Sequence, residues 1–85
     1  MTPDEIKHVI VDALTRIAPE VNTASIRPDA NLREELDLDS IDFLNLVLAL
    51  HERLAVEIPE ADYGQLSSLD SAVRYLAGKN PAQAV

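Results

Sequence analysis

Apolar residues near the start of the chain recur at the period of a helix. Ile6, Ile10, Leu14 and Ile17 follow spacings of four, four and three, with Val9 and Ala13 beside them, so one face is apolar. Thr2 is a strong N-cap, Pro3 suits the first helical position, and Glu5 completes a capping box. Pro19 stops the pattern, because Ala18 before it is pushed out of the α region. These signals predict a helix over 3–17. Residues 18–39 fit neither the helical nor the strand period. Pro19, Asn22, Thr23, Pro28, Asp29 and Asn31 punctuate them, while Val21, Ile26, Leu32, Leu36 and Leu38 are irregularly spaced. A structureless loop of this length in a small domain is usually either functional or a wrong element assignment. Its scattered apolar residues predict a segment laid across the core at several anchors, and a helical turn around 29–35 is compatible with that but not required.

A helix over 40–54 follows, with Asp39 as its N-cap. Leu44, Val47, Leu48 and Leu54 mark its expected core face, yet Ile41, Phe43, Leu46 and Leu50 carry apolar character round most of the circumference. The polar remainder is a narrow line of Asp42, Asn45 and Glu52, with Ala49 between. Such a helix has to be central, packed against several neighbours or against something other than protein. After Ile58-Pro59, residues 60–66 read as a short helix that Gly64 weakens. Ser67 or Ser68 caps a last helix through Ala77, with Leu69, Val73 and Leu76 facing inward and Gly78 as the stop. No alternating run predicts a strand. The expected fold is all-α, a small four-helix bundle of three main helices and one short one, with a long loop between the first and second helices. A single domain over 1–78 is expected, with a disordered tail over 79–85.

Composition bounds what such a bundle can do. At 85 residues and 47% hydrophobic content the chain can build one core, so its acidity does not mean disorder. With no cysteine it has no disulfide, no thiol nucleophile and no cysteine-based zinc site. The net charge of −8 argues against nucleic acid or an anionic membrane as the main partner and points to basic patches on other proteins. Residues 29–62 carry ten acids against Arg33 and Arg53, so the whole excess lies in the middle of the chain. The longest apolar run, Leu46 to Leu50, is far short of the roughly 20 residues of a membrane span. The polar, acidic N-terminus is unlike a targeting peptide, so a cytoplasmic protein without membrane insertion is expected.

Ordinary catalysis finds little material. His8 and His51 lie on separate helices without metal-ligand spacing to a partner. Ser40, between Asp39 and Asp42, lacks a neutral base, and nearby carboxylates disfavour an alkoxide. A calcium loop starting at Asp37 fails at Ile41, Asp42 and Leu48, which leaves room only for a loose, nonspecific cation site among Asp37, Asp39 and Asp42. No catalytic residue and no metal site is assigned. What remains is a hydroxyl at a helix N-terminus, where backbone N–H groups and the helix dipole favour a phosphate. Taken alone, Asp39 and Ser40 read equally well as a plain helix cap.

Their setting carries more. Leu36-Asp37-Leu38-Asp39-Ser40-Ile41-Asp42 resembles the phosphopantetheine attachment motif of acyl carrier proteins, and residues 43–52 resemble that family's second helix. Ile58-Pro59, the short helix and Leu69-Asp70-Ser71-Ala72-Val73-Arg74-Tyr75-Leu76 fall where the family has its third and fourth helices, so the resemblance extends to about Gly78. It implies a carrier and not an enzyme. A phosphopantetheinyl transferase would place 4′-phosphopantetheine on Ser40, and acyl cargo would ride as a thioester on the arm. The resemblance further implies that Asp39, Ile41, Asp42, Phe43, Asn45 and Glu52 meet acyl-loading and acyl-processing enzymes through their basic docking patches, with the carrier a monomer. Leu44, Leu46, Val47, Leu50, Leu66, Leu69 and Val73 become candidates for the core or for a sheltered acyl pocket. The chain departs from the family at four positions. Asp37 stands where glycine is usual, Phe43 where a small or polar residue is common, Asn45 for glutamate and His51 for an acid. The resulting helix face is less acidic and more apolar than in the housekeeping fatty-acid carrier, which leaves a specialised acyl, polyketide or aminoacyl pathway open. Two alternatives stand beside the acyl carrier: an aminoacyl or peptidyl carrier, and an unmodified acidic helical adapter for a basic protein.

Overall fold

Helix α1 (Pro3–Ile17) begins on a complete capping box. The Thr2 hydroxyl accepts from the Glu5 N–H at 3.2 Å, and the Thr2 N–H donates to the Glu5 carboxylate at 2.9 Å. The bond from the Thr2 N–H, aided by the Thr2 side chain, holds the Glu5 carboxyl below its ordinary value. The computed structural model describes residues 2–20, 22 and 26–79. Beyond α1 come a single turn, α2 (Leu32–Glu35), then α3 (Ser40–Leu54), a 3₁₀ helix (Glu60–Leu66) and α4 (Leu69–Lys79). The expected bounds 3–17, 40–54 and 60–66 match these elements, and α2 falls inside the turn that was compatible with 29–35.

α1 lies against both α3 and α4, and α4 also contacts the 3₁₀ helix. Ile6, Ile10 and Leu14 of α1 meet Leu46 and Leu50 of α3 and Leu66, Leu69 and Leu76 from the C-terminal half, all buried in one cluster. A buried leucine or isoleucine contributes roughly 1.5–3 kcal/mol, so this cluster dominates stability. Arg53 of α3 reaches Asp12 of α1 at 2.6 Å, and Arg16 joins Asp12 at 3.5 Å. These pairs are well exposed and add little beyond orientation.

The long loop is anchored as its apolar residues predict. Leu32, Leu36 and Leu38 are buried in the same core, and Ile26 packs against its edge. Its backbone is also tied to the start of α4. The Leu32 N–H donates to the Ser67 carbonyl at 2.7 Å and the Asp70 N–H to the Pro28 carbonyl at 2.9 Å. Val21, expected among the anchors, and Thr23, read as a loop breaker, lie outside the described residues.

Two expectations need correction. Gly78 does not stop the last helix, which runs through it to Lys79. Its φ is not positive, so no left-handed cap forms there. Lys79 instead holds the final turn, with its ammonium 3.5 Å from the Asp62 carboxylate and over the Tyr75 ring. Lys79 therefore belongs to the fold, while 80–85 of the expected tail lie outside the described residues. The Tyr75 hydroxyl donates to Asp62 at 2.7 Å. Burial and that hydrogen bond push the phenol above its ordinary value, and the contact with Tyr75 raises Lys79. Of the two serines expected to cap α4, Ser68 does so, its hydroxyl accepting from the Ser71 N–H at 3.1 Å.

The second correction concerns α3. Leu44 and Leu48, expected in the core, are 43% and 50% exposed, and Ile41 is 69% exposed. The buried stripe is Leu46, Val47, Leu50 and Leu54. At about 100° per residue, 41, 44 and 48 form a second apolar stripe on the opposite side. α1 and the rest of the shared core cover one side of α3 only, so its apolar excess faces solvent. Leu44 is therefore not part of the buried core.

Candidate functional site

The site forms where the long loop turns into α3. Asp37, in the position where glycine is usual, has φ of 53°, the left-handed region. Aspartate tolerates this conformation better than most side chains, which explains how the turn survives without glycine. Leu38 is buried one residue later and pins the turn to the core. Asp39 then caps α3, its carboxylate accepting from the Asp42 N–H at 2.8 Å.

That cap decides the role left to Ser40. Ser40 is the first residue of α3 and is exposed. Because Asp39 does the capping, the Ser40 hydroxyl has no hydrogen-bond partner among the described residues. The reading of Asp39 and Ser40 as a joint cap therefore fails for Ser40. A free hydroxyl sits at the positive end of a helix of 15 residues, where an attached phosphate is electrostatically favoured. The residues present fit a phosphopantetheine group.

Asp39, Ile41, Asn45 and Glu52 are exposed, and Asp42 is half-buried. Phe43 turns inward instead. Its ring meets Tyr63 of the 3₁₀ helix edge to face at 6.1 Å, and the Arg33 guanidinium lies 5.6 Å from its centre. Of the ten acids over 29–62, only Glu35 and Asp62 are ion-paired within the described residues, with Arg27 and Lys79. Asp39 caps α3, and the others are left to solvent or to a partner. Among the pocket candidates Leu46, Val47, Leu50, Leu66 and Leu69 are buried and Val73 is half-buried. His51 serves the fold, because its Nδ1–H donates to the Val56 carbonyl at 2.6 Å and ties down the chain after α3. His8 is exposed on α1. Among the described residues no three His, Asp or Glu side chains converge as a metal site, so Asp37, Asp39 and Asp42 do not form one.

Leu44 and Leu48 as surface residues escape a reading of the sequence, and Arg33 and Tyr63 escape it altogether. The spacing of 41, 44 and 48 is a signal that could have found the first pair. Nothing local signals the second pair, because only the fold brings α2 and the 3₁₀ helix to Phe43.

Residues 8–76 match the family model described as the phosphopantetheine attachment site. The chain belongs to the acyl carrier protein family. It is 36% identical over 75 residues to the acyl carrier protein of Campylobacter fetus subsp. fetus (strain 82-40), covering 88% of this chain and 91% of the relative. It is 34% identical over 79 residues to that of Picosynechococcus sp. (strain ATCC 27264 / PCC 7002 / PR-6), covering 93% and 91%. The acyl carrier protein from Enterococcus faecalis shares the fold, with a TM-score of 0.79 at 22% identity over 93% of this chain and 99% of that one. The family's cofactor is 4′-phosphopantetheine, and members work with biosynthetic enzymes and a phosphopantetheinyl transferase. Among the described residues no helix is long and apolar enough to cross a membrane.

Proposed function

We propose that Ser40 is the attachment point of the arm and that the chain is itself no catalyst. In this reading it is a cytoplasmic monomer that carries acyl intermediates to enzymes of fatty-acid, polyketide or related lipid biosynthesis. The observation that carries this is the exposed Ser40 hydroxyl, unpartnered because Asp39 alone caps the helix. Ser40 contributes the oxygen that bonds to phosphorus as the pyrophosphate link of coenzyme A breaks and its adenosine bisphosphate half leaves. No side chain accepts its proton within the described residues, so removing that proton falls to the transferase. When attached, the arm supplies the thiol that a chain without cysteine lacks.

The surface around Ser40 supports brief, oriented encounters. Ile41, Leu44 and Leu48 offer an exposed apolar stripe, with Asp39, Asn45 and Glu52 beside it. Unpaired carboxylates on this side would speed encounter with basic patches and lose that effect in salt. The buried residues Leu46, Val47, Leu50, Leu66 and Leu69, with Val73 at their edge, are where a short acyl chain would have to insert.

The test is intact mass after incubation with a broad phosphopantetheinyl transferase and coenzyme A. The wild-type chain should gain the mass of one arm and Ser40→Ala should gain none. An unmodified wild-type chain, with a control carrier modified in the same tube, would favour the adapter reading. Loading by fatty-acyl against aminoacyl ligases separates the acyl carrier from the aminoacyl alternative.

A further inference from the structure

One turn along α3 from Ser40 lies a cleft of about 250 Å³ lined by Asn31, Arg33, Phe43, Tyr63, Gly64 and Ser67. Phe43 is three residues past Ser40, a rise of about 4.5 Å along the helix, so a group tethered at Ser40 can fold back to it. In a chain of net charge −8, no acid lines this cleft. Arg33 is one of two bases in the acidic stretch, and the other, Arg53, is engaged by Asp12. Arg33 makes no ion pair among the described residues. Its neighbour Glu35 is taken by Arg27, and although Arg33 also borders a depression with Glu34 and Asp37, neither is within ion-pair reach. The guanidinium lies instead over the Phe43 ring.

Two further donors join it. Asn31 uses its side-chain oxygen to accept from the Glu34 N–H at 3.1 Å, which leaves its amide NH₂ without a partner within the described residues. The Ser67 hydroxyl is likewise unpartnered there. A planar guanidinium, an amide and a hydroxyl beside two aromatic rings form a receptor for a carboxylate on a short carbon stem. The arm's own phosphate is a poorer occupant, because the α3 N-terminus already favours it at Ser40.

We propose that this cleft holds the free carboxylate of a short dicarboxylic acyl group carried on the Ser40 arm, so that Arg33 biases the carrier toward anionic cargo. This rests on Ser40 bearing the arm. The test loads the chain, by transferase, with coenzyme A, butyryl-coenzyme A or succinyl-coenzyme A, the last two matched in carbon number. Amide and ring NMR shifts of Asn31, Arg33, Phe43, Tyr63, Gly64 and Ser67 are then compared. The succinyl form should shift these signals beyond the other two forms. Arg33→Gln should reduce that difference about twofold or more, consistent with a partly exposed ion pair, and Arg33→Lys should restore part of it. Equal shifts in the butyryl and succinyl forms overturn the proposal, as do shifts already complete with the bare arm, which would assign the cleft to the phosphate. So does a succinyl effect indifferent to Arg33→Gln. A wild-type chain that gains no mass overturns the reading of Ser40 as well, whereas normal loading without these shifts overturns this inference alone.

Discussion

α1 and α3 are both helices of 15 residues that start on a side-chain cap, yet they end in different roles. α1 buries one stripe, Ile6, Ile10, Ala13 and Leu14, and turns a polar face outward. α3 buries Leu46, Val47, Leu50 and Leu54 and keeps Ile41, Leu44 and Leu48 exposed on the other side. Three large apolar side chains in water gain nothing for the fold. Their cost becomes intelligible if a transient partner covers them beside Ser40. In the proposed reading, apolarity in excess of what burial requires marks the helix that meets partners.

The sharpest way to break this comparison is truncation on each side of α3. Leu50→Ala, at a fully buried position, should cost about 2–5 kcal/mol in urea unfolding, as should Leu14→Ala on α1. Leu48→Ala should stay within about 0.5 kcal/mol while raising the transferase's KM. Equal losses of stability at 48 and 50 would end the claim that α3 has two distinct apolar faces.

Next in size are the caps. Thr2→Ala and Asp39→Ala should each cost about 1 kcal/mol, read by thermal unfolding, because each removes an oxygen that satisfies a first-turn N–H. A negligible loss for Asp39→Ala would mean that Ser40 takes over the cap, and with it the Ser40 hydroxyl would no longer be free.

The C-terminal ends differ in sign. α3 stops on Ala55 at φ of 53°, whereas α1 stops on Ala18 at φ of −132°. Ala55→Gly should therefore stabilise by about 1 kcal/mol, relieving a left-handed alanine, and Ala18→Gly should destabilise by about 0.5–1 kcal/mol. Differential scanning calorimetry of the two variants checks both directions.

The smallest effect is one of pH. The Glu5 carboxyl is held below its ordinary 4.5 by the hydrogen bonds with Thr2. Its contribution is complete above that ordinary value and fades as pH falls through the lowered one. Glu5→Gln should make the acid limb of the stability curve shallower, as urea midpoints over the acid range would show.

The main helices and the serine exposed at the head of α3 were readable from local chemistry. Thr2, Pro3, Glu5 and Pro19 bound α1, and Asp39 opens α3, because caps and prolines act within a few residues and need no tertiary partner. The segment around Ser40 that is proposed to take the arm is equally local. Gly78 misled, since a glycine permits a left-handed stop without enforcing one, and the helix runs two residues past Ala77 to Lys79, which contacts Asp62 and Tyr75.

The rest depended on what lay opposite. α3 has apolar residues on nearly every side, so periodicity alone could not say which stripe would be covered; α1 and the core it shares with the anchored loop made that choice. Arg33, Phe43 and Tyr63 are too far apart in the chain for any spacing rule to join them. They meet because backbone hydrogen bonds tie the loop to the start of α4 and thereby bring α2 alongside the 3₁₀ helix. By itself the sequence determined the helices, the acidic middle and the serine on offer. The tertiary structure decided which apolar face stays bare and what chemistry surrounds that serine, because both depend on neighbours that only packing supplies.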